Sequence, residues 1–209
     1  MSTEYLDPRV SFFDDLAERW DGFEDLQALA GRLAEGLRHF QVRPDERILE
    51  VGCGTGNLTS ALCRHLSQAG RIVAVDCSAR MLERARAKVT DGRVTWIHAH
   101  LQDLPRDGAA FDGVAFDRAI LMGVWPHLGG KGQVLESLHG QLRPGGMLHL
   151  WHIASRARIN EIHSGGHPSI AQDMLEPASE ISELLTDSGF EVLDSRDDET
   201  QHFVTARRN

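Results

Sequence analysis

Short apolar runs alternate with amphipathic stretches along most of the chain. Strand-like runs cover residues 47–51, 71–76, 93–99, 111–117 and 147–153, and stretches with helical spacing of apolar residues separate most of them. Two more strand-like runs, 190–195 and 201–207, flank a short acidic turn, which indicates an antiparallel hairpin. The pattern predicts an α/β fold with a seven-stranded, mostly parallel sheet, an antiparallel last strand and helices on both faces.

The N-terminal part of the chain has a different pattern. Apolar residues recur at helical spacing through residues 9–40 and predict two amphipathic helices before the first strand. We therefore expect a helical segment over residues 1–43 and one domain over residues 44–209. Residues 154–177 show no clear period, and a connection of this length usually carries function or a small helix of its own.

Charge and composition limit the kinds of partner and the cellular location that we expect for this protein. The 209 residues carry a net charge of −9, which disfavours a nucleic-acid partner. No apolar run is long enough to span a bilayer, and the first residues lack the basic and apolar regions of a signal peptide. Three cysteines without CxxC spacing favour reduced, buried thiols. We expect a cytoplasmic monomer or homodimer without a membrane partner.

A glycine-rich turn follows the first predicted strand. Gly52, Gly54 and Gly56 precede a helix, and Asp76 ends the next strand twenty residues after the last glycine. Such a turn lets backbone approach a nucleotide, and a carboxylate at this distance accepts hydrogen bonds from a ribose diol. The spacing G-x-G-x-G departs from the dinucleotide fingerprint. Glu50 would repel a pyrophosphate and suits a ligand with a cationic end.

These motifs together carry a family resemblance. LEVGCGTG at 49–56, the segment 73–88, the segment 111–120 and LRPGGMLHL at 142–150 resemble the class I S-adenosylmethionine (SAM) methyltransferases. The chain is most similar to small-molecule enzymes related to ubiquinone and menaquinone biosynthesis. The resemblance implies a Rossmann-like fold, SAM as cofactor with S-adenosylhomocysteine (SAH) as product, and methyl transfer to an oxygen, sulfur or carbon atom of a small molecule.

The resemblance also implies cofactor contacts. Residues expected around the methionine part and the turn are Glu50, Gly52, Cys53, Gly54 and Gly56. Asp76 would bind the ribose, although a helix-capping role is the alternative. Cys77 and Met81 would flank the adenine or serve only in packing. His100 stands where relatives often place an aspartate on the adenine amine, with Leu101 or Asp103 as alternatives. Asp117, at the end of the predicted fourth strand, would lie near the reacting methyl group.

Several histidines follow the predicted fourth and fifth strands, and their positions indicate where the methyl acceptor would bind. His127 and His152 are the candidate catalytic bases, with Asp117 beside them. His149 and His152 are three apart on a strand and must face opposite sides. The expected substrate-binding residues are Trp20, His127, His152, Arg156, Asn160 and His163. The N-terminal helices would close over the site as a lid, with Phe12, Phe13 and Trp20 excluding water.

Three interpretations of the histidines stay open. They form a polar pocket with one general base, they bind a metal such as zinc, or they are exposed or satisfied core residues. The candidate metal ligands are His127, His152, His163 and His167. Two other functions also remain as alternatives: a protein that binds SAM or SAH without transferring a methyl group, and a nicotinamide-dependent oxidoreductase.

Overall fold

The computed structural model describes residues 7–105 and 113–209. Seven strands of these residues form one sheet in the order β3-β2-β1-β4-β5-β7-β6. The strands are β1 Arg47–Val51, β2 Arg71–Asp76, β3 Val94–His98, β4 Phe116–Met122, β5 Leu142–His152, β6 Phe190–Asp197 and β7 His202–Arg208. β1 to β5 pair in parallel, and β7 lies antiparallel between β5 and β6. The predicted fold class and terminal hairpin are therefore confirmed.

Seven α-helices occupy the described residues. They are α1 Pro8–Leu16, α2 Leu26–His39, α3 Asn57–His65, α4 Ala79–Lys88, α5 Lys131–Gln141, α6 Arg156–Ser164 and α7 Ala178–Asp187. Side chains of Asp7, Asp25, Ser78 and Ser155 cap the helices that follow them. α6 falls within the segment 154–177 that has no clear period. No helix of these ranges is long and apolar enough to cross a bilayer.

The fourth strand is displaced from its predicted position. We predicted residues 111–117, whereas β4 runs from Phe116 to Met122, and Phe111 and Asp112 lie outside the described residues. The cause is Arg118, which interrupts the apolar run but is 3% exposed in the strand. It pairs with Glu46 at 2.7 Å and bonds the ring of His149. The partner that permits burial of this charge is distant in sequence.

The two N-terminal helices have different places in the fold. α2 has Leu29, Leu33 and Leu37 in the core under the sheet, together with residues of β1, α3 and β5. This burial makes α2 part of the helical layer, which corrects the expectation that both helices form a lid. α1 has no buried residue in its span and contacts α4 at the carboxyl edge of the sheet.

Candidate active site

A cavity of about 600 Å³ opens at the carboxyl ends of β1, β2, β4 and β5. Ligands of open parallel sheets bind at this edge, and the volume is typical of a small-molecule site. The glycine turn and Asp76 line one end. Trp20 and the histidines 127, 152 and 163 are among the residues that line the other end. The cavity therefore joins the predicted cofactor and acceptor sides.

The glycine turn is built from left-handed backbone. Gly52, Gly54 and Gly56 have φ angles of 69°, 52° and 81°. A Cβ on Gly52 would lie 2.5 Å from Cγ2 of Val124, whereas a Cβ on Gly54 would meet no atom within 4 Å. Gly52 thus permits close packing against the chain that follows β4, and Gly54 leaves open space where a ligand can approach the backbone.

Asp76 fixes the end of the turn from the next strand. Its Oδ2 accepts the backbone N–H of Gly54 at 2.7 Å, and its Oδ1 accepts the N–H of Ser78 at 2.9 Å. Burial raises the pKa of Asp76 above its usual value. Each carboxylate oxygen has a second lone pair. The helix cap of α4 is Ser78, and Asp76 holds the Ser78 backbone while it keeps free acceptor capacity on the cavity wall.

Glu50 differs from its expected place. Its side chain is 2% exposed and is absent from the cavity wall, since its Oε2 accepts the Thr59 hydroxyl of α3 at 2.7 Å. Burial raises the pKa of Glu50 to about 8. Gly56 is likewise behind the wall, where a Cβ would lie 3.1 Å from Cβ of Ala85. Both residues support the turn from behind.

Other residues expected at the cofactor end do line the cavity. They are Cys53, Cys77, Met81, His100 and Leu101. Met81 and Leu101 are buried, and burial raises the pKa of the Cys77 thiol to about 12. A neutral thiol and a thioether give this part of the wall an apolar character. Asp103, the alternative to His100, is not on the wall.

The N-terminal segment is attached to this end by two carboxylates. Asp14 of α1 accepts the Ser78 hydroxyl at 2.5 Å. Asp21, in the short 3-10 helix Trp20–Phe23, accepts the Thr55 hydroxyl at 2.6 Å and pairs with Lys88 at 2.7 Å. Phe13 and Trp20 pack edge to face at 5.8 Å and both line the cavity. Phe12 instead stacks on His167 outside it.

His127 lies in a 3-10 turn after β4 and is held by Asp173. Its Nδ1 is 2.9 Å from Asp173 Oδ2, and Arg9 of α1 donates to both oxygens of Asp173 at 2.8 Å. Burial lowers the pKa of His127, and the bond to Asp173 opposes that effect. Sequence reasoning missed Arg9 and Asp173; the one signal was that Asp173 lies in the aperiodic segment 154–177.

His152 ends β5 and reaches the same cavity. The residue is 2% exposed, and neither ring nitrogen has a hydrogen-bond partner among the described residues. Burial, then the neighbouring rings of His202, His127 and His163, lower the pKa of His152 to about 3. His149 faces the other side of the sheet, as predicted. A buried, neutral and unpartnered imidazole on a cavity wall is suited to bind a polar ligand group.

The structure separates the remaining acceptor candidates. Trp20 and His163 line the cavity, whereas Arg156 and Asn160 do not. Arg156 pairs with Asp197 at 2.8 Å on the surface. Asn160 exchanges two hydrogen bonds with the backbone of Leu175 and thereby holds the loop that carries Asp173. These contacts correct the substrate-binding expectation for both residues.

Asp117 lies at the wrong end of the sheet for catalysis or cofactor binding. It is the second residue of β4, and it accepts from the backbone N–H of Arg47 and from Arg143, each at 2.8 Å. Arg47 begins β1, so Asp117 is at the amino edge, opposite the cavity. The prediction failed because the strand boundary was placed too early.

A metal centre receives no support from the geometry. In residues 7–105 and 113–209, no group of three or more histidine, cysteine, aspartate or glutamate side chains is arranged to hold a metal ion. Of the four candidate ligands, His167 is outside the cavity and His127 already bonds Asp173.

Comparisons with known proteins agree with this geometry. A family model described as a methyltransferase domain matches residues 48–146. Malonyl-[acyl-carrier protein] O-methyltransferase of Priestia megaterium is 31% identical over 153 residues, which cover 73% of this chain and 53% of that relative. Demethylmenaquinone methyltransferase of Lysinibacillus sphaericus is 29% identical, with 65% and 58% covered. The chain thus spans little more than half the length of these relatives.

A solved structure of a SAM-dependent methyltransferase from Aquifex aeolicus has the same fold. It superposes with a TM-score of 0.68 at 17% identity and covers 99% of this chain and 100% of that one. The family match, the sheet order and the glycine turn with its Asp76 partner agree with one another. Residues 48–146 thus match the methyltransferase-domain family, and the whole chain has the fold of a SAM-dependent methyltransferase.

Proposed function

We propose that this protein transfers the methyl group of SAM to a small-molecule acceptor bound at the histidine end of the cavity. The observation that carries the proposal is one continuous cavity. It extends from the glycine turn and Asp76 to His127 and to His152, whose ring nitrogens are buried and have no hydrogen-bond partner in the described part of the chain. A site for the cofactor alone would need no such second polar wall.

The cofactor end fits SAM by its chemistry. The backbone at Gly54 is open to the cavity, and the Asp76 carboxylate has acceptor capacity for a ribose diol. Met81 and Leu101 give an apolar wall for the adenine, with His100 at its rim. Glu50 sits behind the turn, where its buried carboxyl group accepts the Thr59 hydroxyl and ties β1 to α3 beside the glycines.

SAM supplies a methyl group that its sulfonium charge already activates. The protein's task is therefore to hold the acceptor in line with that methyl group and to keep water away. Phe13 and Trp20 cover the cavity from the N-terminal segment. His152 offers a neutral ring that binds and orients the acceptor. Nε2 of His127 is available to accept a proton from a nucleophile that carries one.

Calorimetry with SAM, SAH and NAD tests the cofactor, and Asp76→Ala is the matched variant. We expect SAM and SAH to bind, NAD not to bind, and Asp76→Ala to weaken SAM binding. Binding of NAD without SAM would overturn the proposal in favour of an oxidoreductase. Turnover of radiolabelled SAM with a panel of small hydroxyl, thiol and carbon acceptors then tests transfer. SAM binding without any methylated product would support a binding protein instead.

A further inference from the structure

Arg9, Asp173 and His127 form a chain of charged hydrogen bonds from α1 to the cavity wall. The Asp173 side chain is 5% exposed and stands behind that wall, with two bonds from Arg9 and one from His127. We propose that Asp173 is a positioning residue that holds the proton of neutral His127 on Nδ1. Arg9 would keep Asp173 in place for this task only while α1 covers the cavity.

The tautomer follows from the bonding. Although burial opposes ionisation, hydrogen bonds from Arg9 and His127 lower the pKa of Asp173 below its usual value. An ionised carboxylate only accepts, so Nδ1 of His127 must be the donor. Nε2 then carries no proton in the neutral ring, and it bonds no described residue. It is the nitrogen left to accept from a bound molecule.

Groups from four segments face His127. Asp173 comes from the loop after α6, Arg9 from α1, His163 from α6 and His152 from β5. The Phe13 ring adds an edge contact at 5.1 Å. Burial, His163 and Arg9 favour the neutral ring, while Asp173 favours the protonated one. The neutral ring of His127 is therefore favoured, while Asp173 stabilises positive charge when a proton arrives.

The acceptor class follows from this arrangement, and this step rests on the proposed function. Among the described residues that line the cavity, Arg9 is the one lysine or arginine. Its guanidinium group is already paired with Asp173. A carboxylate or phosphate acceptor would find no free cation there. Phe13, Trp20 and Met122 present apolar surface beside the histidines. The chemistry fits an uncharged aromatic molecule with a weakly acidic hydroxyl.

The transfer step balances with these groups alone. The hydroxyl oxygen forms the new bond to the methyl carbon, and its O–H proton passes to Nε2 of His127. The carbon–sulfur bond breaks, and its electron pair stays on sulfur, which becomes the neutral thioether of SAH. The His127 cation that results is paired with Asp173.

Long-range proton–nitrogen NMR on protein labelled with ¹⁵N-histidine tests the positioning role. The protein is saturated with SAH, and His127→Gln assigns the signal. We expect the Nδ1–H tautomer in the wild type and its loss in Asp173→Ala, with a lower pKa of His127. Arg9→Gln should also reduce the Nδ1–H tautomer, because Asp173 then loses the two hydrogen bonds that hold it. Arg19→Gln, which removes the same charge from an exposed position nearby, should leave the tautomer unchanged.

An unchanged tautomer in Asp173→Ala would overturn the proposal, as would a loss of the tautomer in Arg9→Gln no larger than in Arg19→Gln. Calorimetry with SAH on the same samples distinguishes a failure of the proposed function from a failure of the positioning role. Failure of the wild type to bind SAH would contradict the proposed function, whereas a failed NMR result with normal SAH binding would contradict only the role of Asp173 and Arg9. Thermal unfolding of each variant identifies any that do not fold.

Discussion

His149 and His152 are both buried on β5 but face opposite sides of the sheet. His149 bonds Arg118 and the Thr205 hydroxyl, so its ring is a satisfied part of the core. Neither ring nitrogen of His152 has a partner among the described residues. Both rings are buried, but only the ring nitrogens of His149 have hydrogen-bond partners among the described residues. His149 is therefore a structural residue, whereas His152 is available to a ligand, and the effects of replacing each can be compared directly.

Replacing His152 by leucine should stabilise the fold and abolish methyl transfer. Loss of a buried, unpartnered polar group raises the free energy of unfolding by about 1–3 kcal/mol. His149→Leu is the matched control and should lower it by a similar amount, because Arg118 and Thr205 lose a buried partner. Urea unfolding and a SAH-formation assay measure both effects. A destabilised His152→Leu protein would show that the ring has a structural partner.

Glu50→Gln should remove a pH dependence of stability. Burial raises the pKa of Glu50 in the folded protein to about 8 from the ordinary value of 4.5, so folding favours the protonated form. Its stabilisation is fully present below pH 4.5 and is lost as pH rises through about 8. The wild type minus variant difference in unfolding free energy should fall by up to about 1.4 kcal/mol per pH unit between those values.

Urea unfolding of the SAM-free protein from pH 5 to pH 8 measures this difference. Asp45→Asn, in the exposed turn before β1, is the control for a general effect of charge. A flat difference for Glu50→Gln would mean that the carboxyl group is solvated in the folded protein.

Gly52→Ala should cost more stability than Gly54→Ala. Both glycines have positive φ, and alanine there costs about 1–2 kcal/mol. Only at position 52 does the new Cβ meet Val124, at 2.5 Å, which adds about 1–3 kcal/mol of overpacking. The double variant Gly52→Ala/Val124→Ala should recover part of the loss. Equal costs at the two glycines, measured by urea unfolding, would contradict the packing argument.

Asp21→Ala should weaken SAM binding about tenfold, which is close to the loss of one charge-assisted hydrogen bond. Asp21 holds the Thr55 hydroxyl and the Asn57 amide beside the glycine turn. Calorimetry with SAM measures the effect. Glu18→Gln, an exposed carboxylate of the same segment that pairs with Arg84, is the control. Identical affinities of the two variants for SAM would contradict a role of Asp21 in cofactor binding.

Local pattern was sufficient for the glycine turn and for most of the sheet. The bounds of β1 and β2 match the prediction. These features depend on neighbours in sequence. Strand β4 was misplaced because Arg118 interrupts its apolar run, and the burial of Arg118 depends on Glu46, 72 residues away. That displacement alone moved Asp117 from the predicted site to the opposite edge.

The acceptor side was only partly predictable for the same physical reason. His127, His152 and His163 follow strand ends, where parallel topology brings side chains together. The contact of Arg9 with Asp173 joins positions 164 residues apart, and no spacing rule reports such a pair. Asn160 and Arg156 were predicted at this site because they follow β5 closely in the sequence. In the folded protein both lie on α6, where Asn160 bonds the Leu175 backbone and Arg156 bonds Asp197.

Ion pairs fasten the N-terminal segment to the cavity wall, with Arg9 on Asp173 and Asp21 on Lys88. An opening of this segment for release of the spent cofactor breaks both pairs, and dissolved ions stabilise the charges once they are separated and solvated. The enclosed reaction is shielded from that influence. Ionic strength should thus set the rate of cofactor exchange while leaving a single round of chemistry unaffected, so that salt acts on turnover through product release.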